Sequence, residues 1–324
     1  MTFVWAETIF LERWWRQQND SVKADVRQLV KEGRLDLVTG SWVMTDEANP
    51  YYPVSVDNII EGFQFIANEF GVKPSVLFTV DPFGHSNSIA YLYKQADQTG
   101  ETAMLTHVLP YYHYDIPSSC GPSPPACCHI DFLRYYKNYN CFMEAAPVTK
   151  DNLQLKADTL STQLKNMSDA YISDVVIMLY GDDFRFTTPF EWKVQYEGLR
   201  QVFDVINSQN AIDIRFGTIS DFFKELENWY EKNDVRPPSL TGDFFPYKLE
   251  VASWTGYYTT RPFYKSQERR LHWLLRAADL LSSQAQHIVP RTDETLGKLE
   301  KARKALLLFQ HHDAITGTHE FIII

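Results

Sequence analysis

Two short apolar runs that end in acid constrain this chain more than any other feature. Ser75–Val80 leads into Asp81-Pro82-Phe83-Gly84-His85-Ser86, and Asp174–Tyr180 leads into Gly181-Asp182-Asp183. Each run has the length and apolar character of a buried strand. Pro82 and Gly84 force a sharp exit from the first, and a helical pattern follows at Ile89–Tyr93. Runs of this kind suit an α/β layout, where a carboxylate at the C-terminal end of a strand is placed for chemistry. Taken alone, Asp81 also reads as a helix cap or turn former.

The rest of the chain fits the same layout. Apolar spacing predicts a helix over about Phe10–Glu32, a strand over Leu35–Thr39 and a helix over Ser55–Phe70, capped by Ser55 or Asp57. Gly40–Pro50 reads as a strand-to-helix loop carrying Trp42, Asp46 and Glu47. Further helices are predicted over Asn152–Lys165, Phe190–Asn207 and from an N-cap at Ser220 to Glu231, with a strand at Ile212–Phe216 between the last two. Strands alternating with helices argue for a largely parallel α/β barrel or sheet. After Trp254 the pattern changes. Tyr264–Gln284 and Thr295–Phe309 are both helical in period with no strand between them, which predicts a helical hairpin, part of a bundle.

The segment Pro110–Cys141 is too long and too rich in Pro, Tyr, Ser and Cys to be an ordinary connection, and reads as a stapled functional loop. It holds all four cysteines, at 120, 127, 128 and 141. Four cysteines allow three pairings. A vicinal Cys127–Cys128 bridge would be strained, which leaves two. Pairing 120 with 127 and 128 with 141 closes two small loops and is the expected arrangement; a zinc knuckle is the rival, although adjacent cysteines suit tetrahedral ligation poorly. Disulfides imply an oxidising compartment, and the sequons at Asn19 and Asn166 agree with one.

A net charge of −10 without a basic stripe argues against a nucleic-acid partner. No uninterrupted apolar stretch reaches the roughly 18 residues of a membrane span. Both ends, Met1–Glu7 and Phe321–Ile324, read as those of a piece of a longer protein.

Three clusters carry the chemistry. Asp81 is the first. The adjacent acids Asp182 and Asp183 are the second; they would cap a helix, pair with Arg185, or supply a general acid. Carboxylates from two strand ends of one barrel can converge on a pocket, as glycosidases require. His311-His312-Asp313 is the third. Adjacent histidines point apart, so at most one meets a given metal, and a helix C-terminus by itself welcomes histidine. Trp42, Phe83, Tyr112, Tyr114 and Trp254 are candidates for a sugar platform.

Taken in order, Trp5-Ala-Glu7, Gly40–Glu47, Asp81–Ser86, Tyr112–Pro117 with the Cys-rich loop, Gly181–Arg185, Thr260–Tyr264 and His311–Thr318 resemble glycoside hydrolase family 38, the class II α-mannosidases, and within it the Golgi branch. The resemblance implies an α/β fold: an incomplete (β/α) barrel-like catalytic domain over 1–250, followed by the start of a helical bundle over 251–324. It implies Zn²⁺ as cofactor, with Asp81 as nucleophile and zinc ligand and His312 as a second ligand. Asp183 matches the acid/base, with Asp182 beside it. Phe83, Tyr112, Tyr114, Asp182, Trp254 and Asp313 match the mannose subsite. The implied reaction is retaining hydrolysis of terminal α-linked mannose from N-glycan intermediates in the Golgi, with a mannose-rich oligosaccharide as partner and a membrane anchor only in a full-length form. Zinc there holds sugar hydroxyls and stabilises charge.

The chain also departs from the family pattern. His-x-Asp-Pro-Gly-Trp, which would supply two further zinc ligands, is absent. A longer stretch expected between about Gln98 and Thr106 is also missing, and His319–Ile324 does not continue the pattern. The expectation is therefore weak zinc binding and little activity for the chain as written. The alternatives are a non-catalytic mannose- or glycan-binding fragment, another metal hydrolase such as a deacetylase, or a fragment that does not fold alone.

Overall fold

The structure is a computed structural model and describes residues 1–96, 103–111, 113–141, 145–290 and 292–319. In chain order the elements are β1 (Phe3–Trp5), α1 (Thr8–Trp15), α2 (Asp20–Lys31), β2 (Leu35–Leu37), α3 (Tyr52–Phe70), α4 (Asn87–Ala96), α5 (Ile116–Ser119), α6 (Pro124–Cys127), α7 (Leu153–Ser168), α8 (Pro189–Ser208), α9 (Ile219–Asn233), β3 (Lys248–Leu249), β4 (Ala252–Ser253), α10 (Pro262–Ala285) and α11 (Asp293–Leu308). Helices dominate. Among the described residues β1 pairs with β2 and β3 with β4, and no larger sheet forms. No described helix is long and apolar enough to cross a membrane.

The predicted strands at 75–80, 174–180 and 212–216 are extended but join no ladder among the described residues. Side-chain packing of period two takes its place in two of them: Val176, Met178 and Tyr180, and then Ile212, Ile214 and Phe216, all pack on one core. The helix predicted over 10–32 is broken in two. Asn19 accepts the Val22 N–H at 3.0 Å and starts α2 afresh. Ser55 and Asp57 do not cap α3; the helix begins earlier, with Pro53 in its first turn. The cap of α9 is Thr218 rather than Ser220. Thr218 Oγ1 accepts from Asp221 N at 3.1 Å and Asp221 Oδ2 accepts from Thr218 N at 2.9 Å, a reciprocal capping box.

The chain forms two compact units, residues 1–3 with 105–238, and 4–104 with 239–324. The first has a single core of Ile116, Cys120, Cys127, Ile130 and Phe132 with Ala157, Leu160 and Leu164 of α7 and Leu199, Val202 and Ile206 of α8. The Cys-rich segment thus supplies interior side chains and is no mere surface loop. Its disulfides are Cys120–Cys127 and Cys128–Cys141.

In the second unit, Trp42, Val43 and Val54 pack with Leu275 of α10 and Leu306 and Leu307 of α11. Gly62 lets α3 lie directly on the 40–41 backbone, since a Cβ there would collide with the Gly40 carbonyl and Ser41. Lys304 of α11 bonds Glu12 of α1 at 3.1 Å and Glu300 at 2.7 Å, and lies 4.7 Å from the Trp42 ring centre. Trp42 is 1% exposed, so it is a core residue and not a sugar platform.

Candidate active site

In the unit of residues 4–104 and 239–324, the apolar run ends at Asp81 with φ +82°, in the left-handed region that a side chain with a Cβ disfavours. Gly84, at φ +119°, lets the turn continue against Phe245, whose ring a Cβ at this position would meet. His85 then bridges Phe244, N to O at 3.3 Å and O from N at 3.1 Å.

His312 lies four residues beyond the end of α11, in a turn, and is buried. Its Nδ1 is 2.9 Å from the Met44 carbonyl. A carbonyl only accepts, so Nδ1 carries the proton and Nε2 is left facing Asp81, 3.6 Å from Oδ2. Burial opposes protonation of His312, but the Asp81 carboxylate and the Met44 carbonyl together raise its pKa above the ordinary histidine value. His311 turns the other way, with Nδ1 3.3 Å from Glu7 Oε1. Glu7 also accepts the Met44 N–H at 2.9 Å. Burial pushes the Glu7 carboxyl up, and these bonds more than offset it, leaving it below the usual range. Ligand atoms of His311, His312 and Asp313 lie within 4.8 Å of one another, a grouping compatible with a metal ion. Asp313 accepts from Thr318 Oγ1 at 2.6 Å.

Phe83 forms an aromatic wall with Trp254 and Tyr257, both at 5.3 Å, and its ring is 6.4 Å from that of His312. Tyr257 donates to the Phe83 carbonyl at 2.8 Å. Trp254 is 41% exposed, so part of the wall is open to solvent. This unit therefore gathers Asp81, Phe83, Trp254, His312 and Asp313.

In the unit of residues 1–3 and 105–238, Tyr114 donates to Asp183 Oδ1 at 3.0 Å. Asp182 pairs with Arg134 at 2.7 Å and caps the Asp183 N–H at 2.8 Å. Arg185 does not pair with either acid. It reaches inward to Asp131 at 2.5 Å and to Glu191 at 2.6 Å. Asp131 also accepts from Gln195 at 2.7 Å and Tyr136 at 3.0 Å. Burial raises the Asp131 carboxyl, but Arg185 and the backbone donors hold it below its ordinary value. Tyr112 lies outside the described residues.

Three residues of this site had no assigned role from sequence: Glu7, Met44 and Tyr257. Glu7 and Met44 stand inside two of the motifs quoted above, which is the only signal for them; Tyr257 acts through its hydroxyl and packing contacts that no local pattern announces.

Asp81, at the end of an extended segment, thus faces His312 beside a partly open aromatic wall. Residues 1–103 and 96–250 match the glycosyl hydrolases family 38 N-terminal domain, and residues 252–320 match the alpha mannosidase middle domain. The chain belongs to glycosyl hydrolase family 38. It is 37% identical to human (Homo sapiens) Alpha-mannosidase 2 over 365 residues, covering 98% of this chain and 32% of that protein. It is 36% identical to Alpha-mannosidase 2x of Mus musculus over 374 residues, covering 99% and 32%. With Alpha-mannosidase 2 of Drosophila melanogaster the identity is 34% over 356 residues, covering 98% and 32%. The chain thus spans about a third of the length of the curated relatives it matches.

Proposed function

We propose that this chain carries catalytic elements of a retaining, zinc-dependent α-mannosidase that trims terminal α-linked mannose from N-glycan intermediates. The observation that carries the reading is the Asp81–His312 contact at 3.6 Å beside the Phe83–Trp254 wall. The names of the relatives, alpha-mannosidases throughout, support the substrate class. The proposed catalytic domain, barrel-like, covers 1–250, and the helical middle domain begins at 251.

The donor set fits zinc. One imidazole nitrogen and one carboxylate oxygen are ordinary zinc ligands, and two ligand atoms on a tetrahedral zinc stand about 3.3 Å apart. The Met44 carbonyl fixes the ring of His312 from behind, as outer partners of ligating histidines do. Asp81 and His312 would hold the ion, which when bound would hold sugar hydroxyls and so orient the ring. By the family pattern, Asp81 is the proposed nucleophile toward an anomeric carbon and Asp183 the proposed acid/base, which in a retaining reaction gives a proton to the leaving oxygen and later takes one from water. Tyr114 orients Asp183 through its hydroxyl. By the same pattern, mannose contacts are proposed for Phe83, Trp254 and Asp313 in one unit and for Tyr112, Tyr114 and Asp182 in the sequence of the other. The two disulfides support work in an oxidising compartment, the Golgi lumen in this reading.

The test is zinc titration and turnover of an aryl α-mannoside by the wild type, Asp81→Asn and His312→Ala. Two ligands predict weak zinc binding that either substitution abolishes, with turnover lost alongside. Zinc binding unchanged in both variants would overturn the site. Mannose-rich glycan binding that survives chelation, without hydrolysis, would replace the enzyme reading with that of a glycan-binding chain.

A further inference from the structure

The motif Gly40–Glu47 ends in a carboxylate to which the proposed reaction gives no part. The Glu47 side chain is 6% exposed, so it does not face a substrate. It faces the two flanks of the Asp81 turn. Thr79 Oγ1, two residues before Asp81, donates to Oε1 at 3.4 Å. After the turn, His85 Nδ1 is 3.2 Å from Oε1 and the Ser86 N–H donates to Oε2 at 2.6 Å. Both carboxylate oxygens are thus spent on the segment that holds Asp81 at positive φ.

The same short segment reaches the histidine from its other edge. Val80 N–H points at Met44 Sδ at 3.4 Å, while the Met44 carbonyl bonds His312. Asp46 N–H donates to the Gln310 carbonyl at 2.9 Å, and Thr45 bridges His311. Residues 44–47 therefore splint the Asp81 turn to the His312 turn. The neighbouring acid does a different job: Asp46 caps its own turn through Ala48 N, Asn49 N and Asn49 Nδ2.

We propose that Glu47 is a positioning residue that clamps both sides of the Asp81 turn and so sets the Asp81–His312 spacing. This deepens the metal-site reading above and rests on it for the zinc arm alone. A buried carboxylate with three donors is the group for this task, because backbone strain at one residue persists only where its surroundings over-determine it.

The experiment compares wild type, Glu47→Ala and Glu47→Gln by amide hydrogen exchange and by zinc competition against a chelator. In Glu47→Ala, exchange at the Phe83–Ser86 amides rises at least about tenfold while α10 and α11 keep theirs, and zinc affinity falls about 10–100-fold, the usual effect of losing an outer partner. Glu47→Gln keeps one acceptor oxygen and falls between. If Glu47→Ala does not fold, Glu47→Gln decides alone. A Glu47 that merely stabilises the fold would lower Tm and raise exchange across the unit, leaving zinc affinity of the folded protein unchanged; that outcome overturns the proposal. If the wild type binds no zinc, the metal reading fails, and the exchange pattern still decides the clamp.

Discussion

Arg185 and Asp131 form an ion pair with both side chains shut off from water, 2% and 0% exposed. It anchors the loop that presents Asp182 and Asp183 to the interior beneath it. Removing one partner strands a buried charge. Asp131→Ala or Arg185→Met should therefore cost about 3–5 kcal/mol of stability in urea unfolding. The sign with pH follows from the depressed Asp131 pKa: its contribution is full above the unfolded carboxyl value and is lost as pH falls through the folded one. Acid unfolding of the wild type should show that loss, and Asp131→Asn should lack it.

Lys156 of α7 is 4% exposed, with Nζ bonded to the His129 carbonyl and 4.9 Å from the Phe132 ring centre. Burial lowers its pKa from 10.5 to about 8. Between those values the unfolded state binds the extra proton, so stability rises with pH across the window, by on the order of 3 kcal/mol. Unfolding midpoints from pH 7 to 10.5 should show this slope in wild type and not in Lys156→Met. Equal slopes in the two proteins would refute it.

Asp81 combines a positive φ with a half-exposed side chain, so its ion contact with His312 adds little to stability. Asp81→Gly should raise stability by up to about 1 kcal/mol by relieving the left-handed strain, while removing the carboxylate. A fall in Tm for Asp81→Gly would mean that the turn carries no strain.

Gly62→Ala tests the close approach of α3 to residues 40–41. Alanine favours a helix over glycine by up to about 1 kcal/mol. The collision with the Gly40 carbonyl costs about 1–3 kcal/mol or more, since backbone lies on the other side. Net destabilisation is expected by thermal unfolding, whereas an exposed-helix glycine would show a gain.

The disulfide loops close over sequence separations of 7 and 13 residues. Chain entropy assigns them about 2.5 and about 3 kcal/mol. Cys120 and Cys127 are fully buried in the core, so Cys120→Ser with Cys127→Ser should cost more than its loop length implies. Unfolding of the two double serine variants, compared side by side, checks the order.

Much of this was legible because the signals are local. The helices at 153–168 and 189–208 fall within a few residues of their apolar spacing, and the disulfides are the expected one of the two unstrained pairings. Apolar spacing hides the break at Asn19 because it stays in register on both sides. Ser220 and Thr218 are both cap-forming residue types, and the Thr-x-x-Asp pattern is what distinguishes Thr218. The strands at 75–80 and 174–180 read correctly as extended, but whether an extended segment joins a ladder depends on partners far along the chain. The same limit applies at the site. Asp81 and His312 stand out by residue type and context, whereas Glu47 and Met44 act only through contacts with residues more than 30 positions away.

The segment around the cysteines has one more consequence. Ile116, Cys120, Cys127, Ile130 and Phe132 form one wall of an interior, yet the stretch that bears them has only single-turn helices to hold its shape. Such a wall has no stiffness of its own during synthesis. The two bridges supply the cross-links this wall lacks in secondary structure, so reduction of both is expected to lower the Tm of the chain.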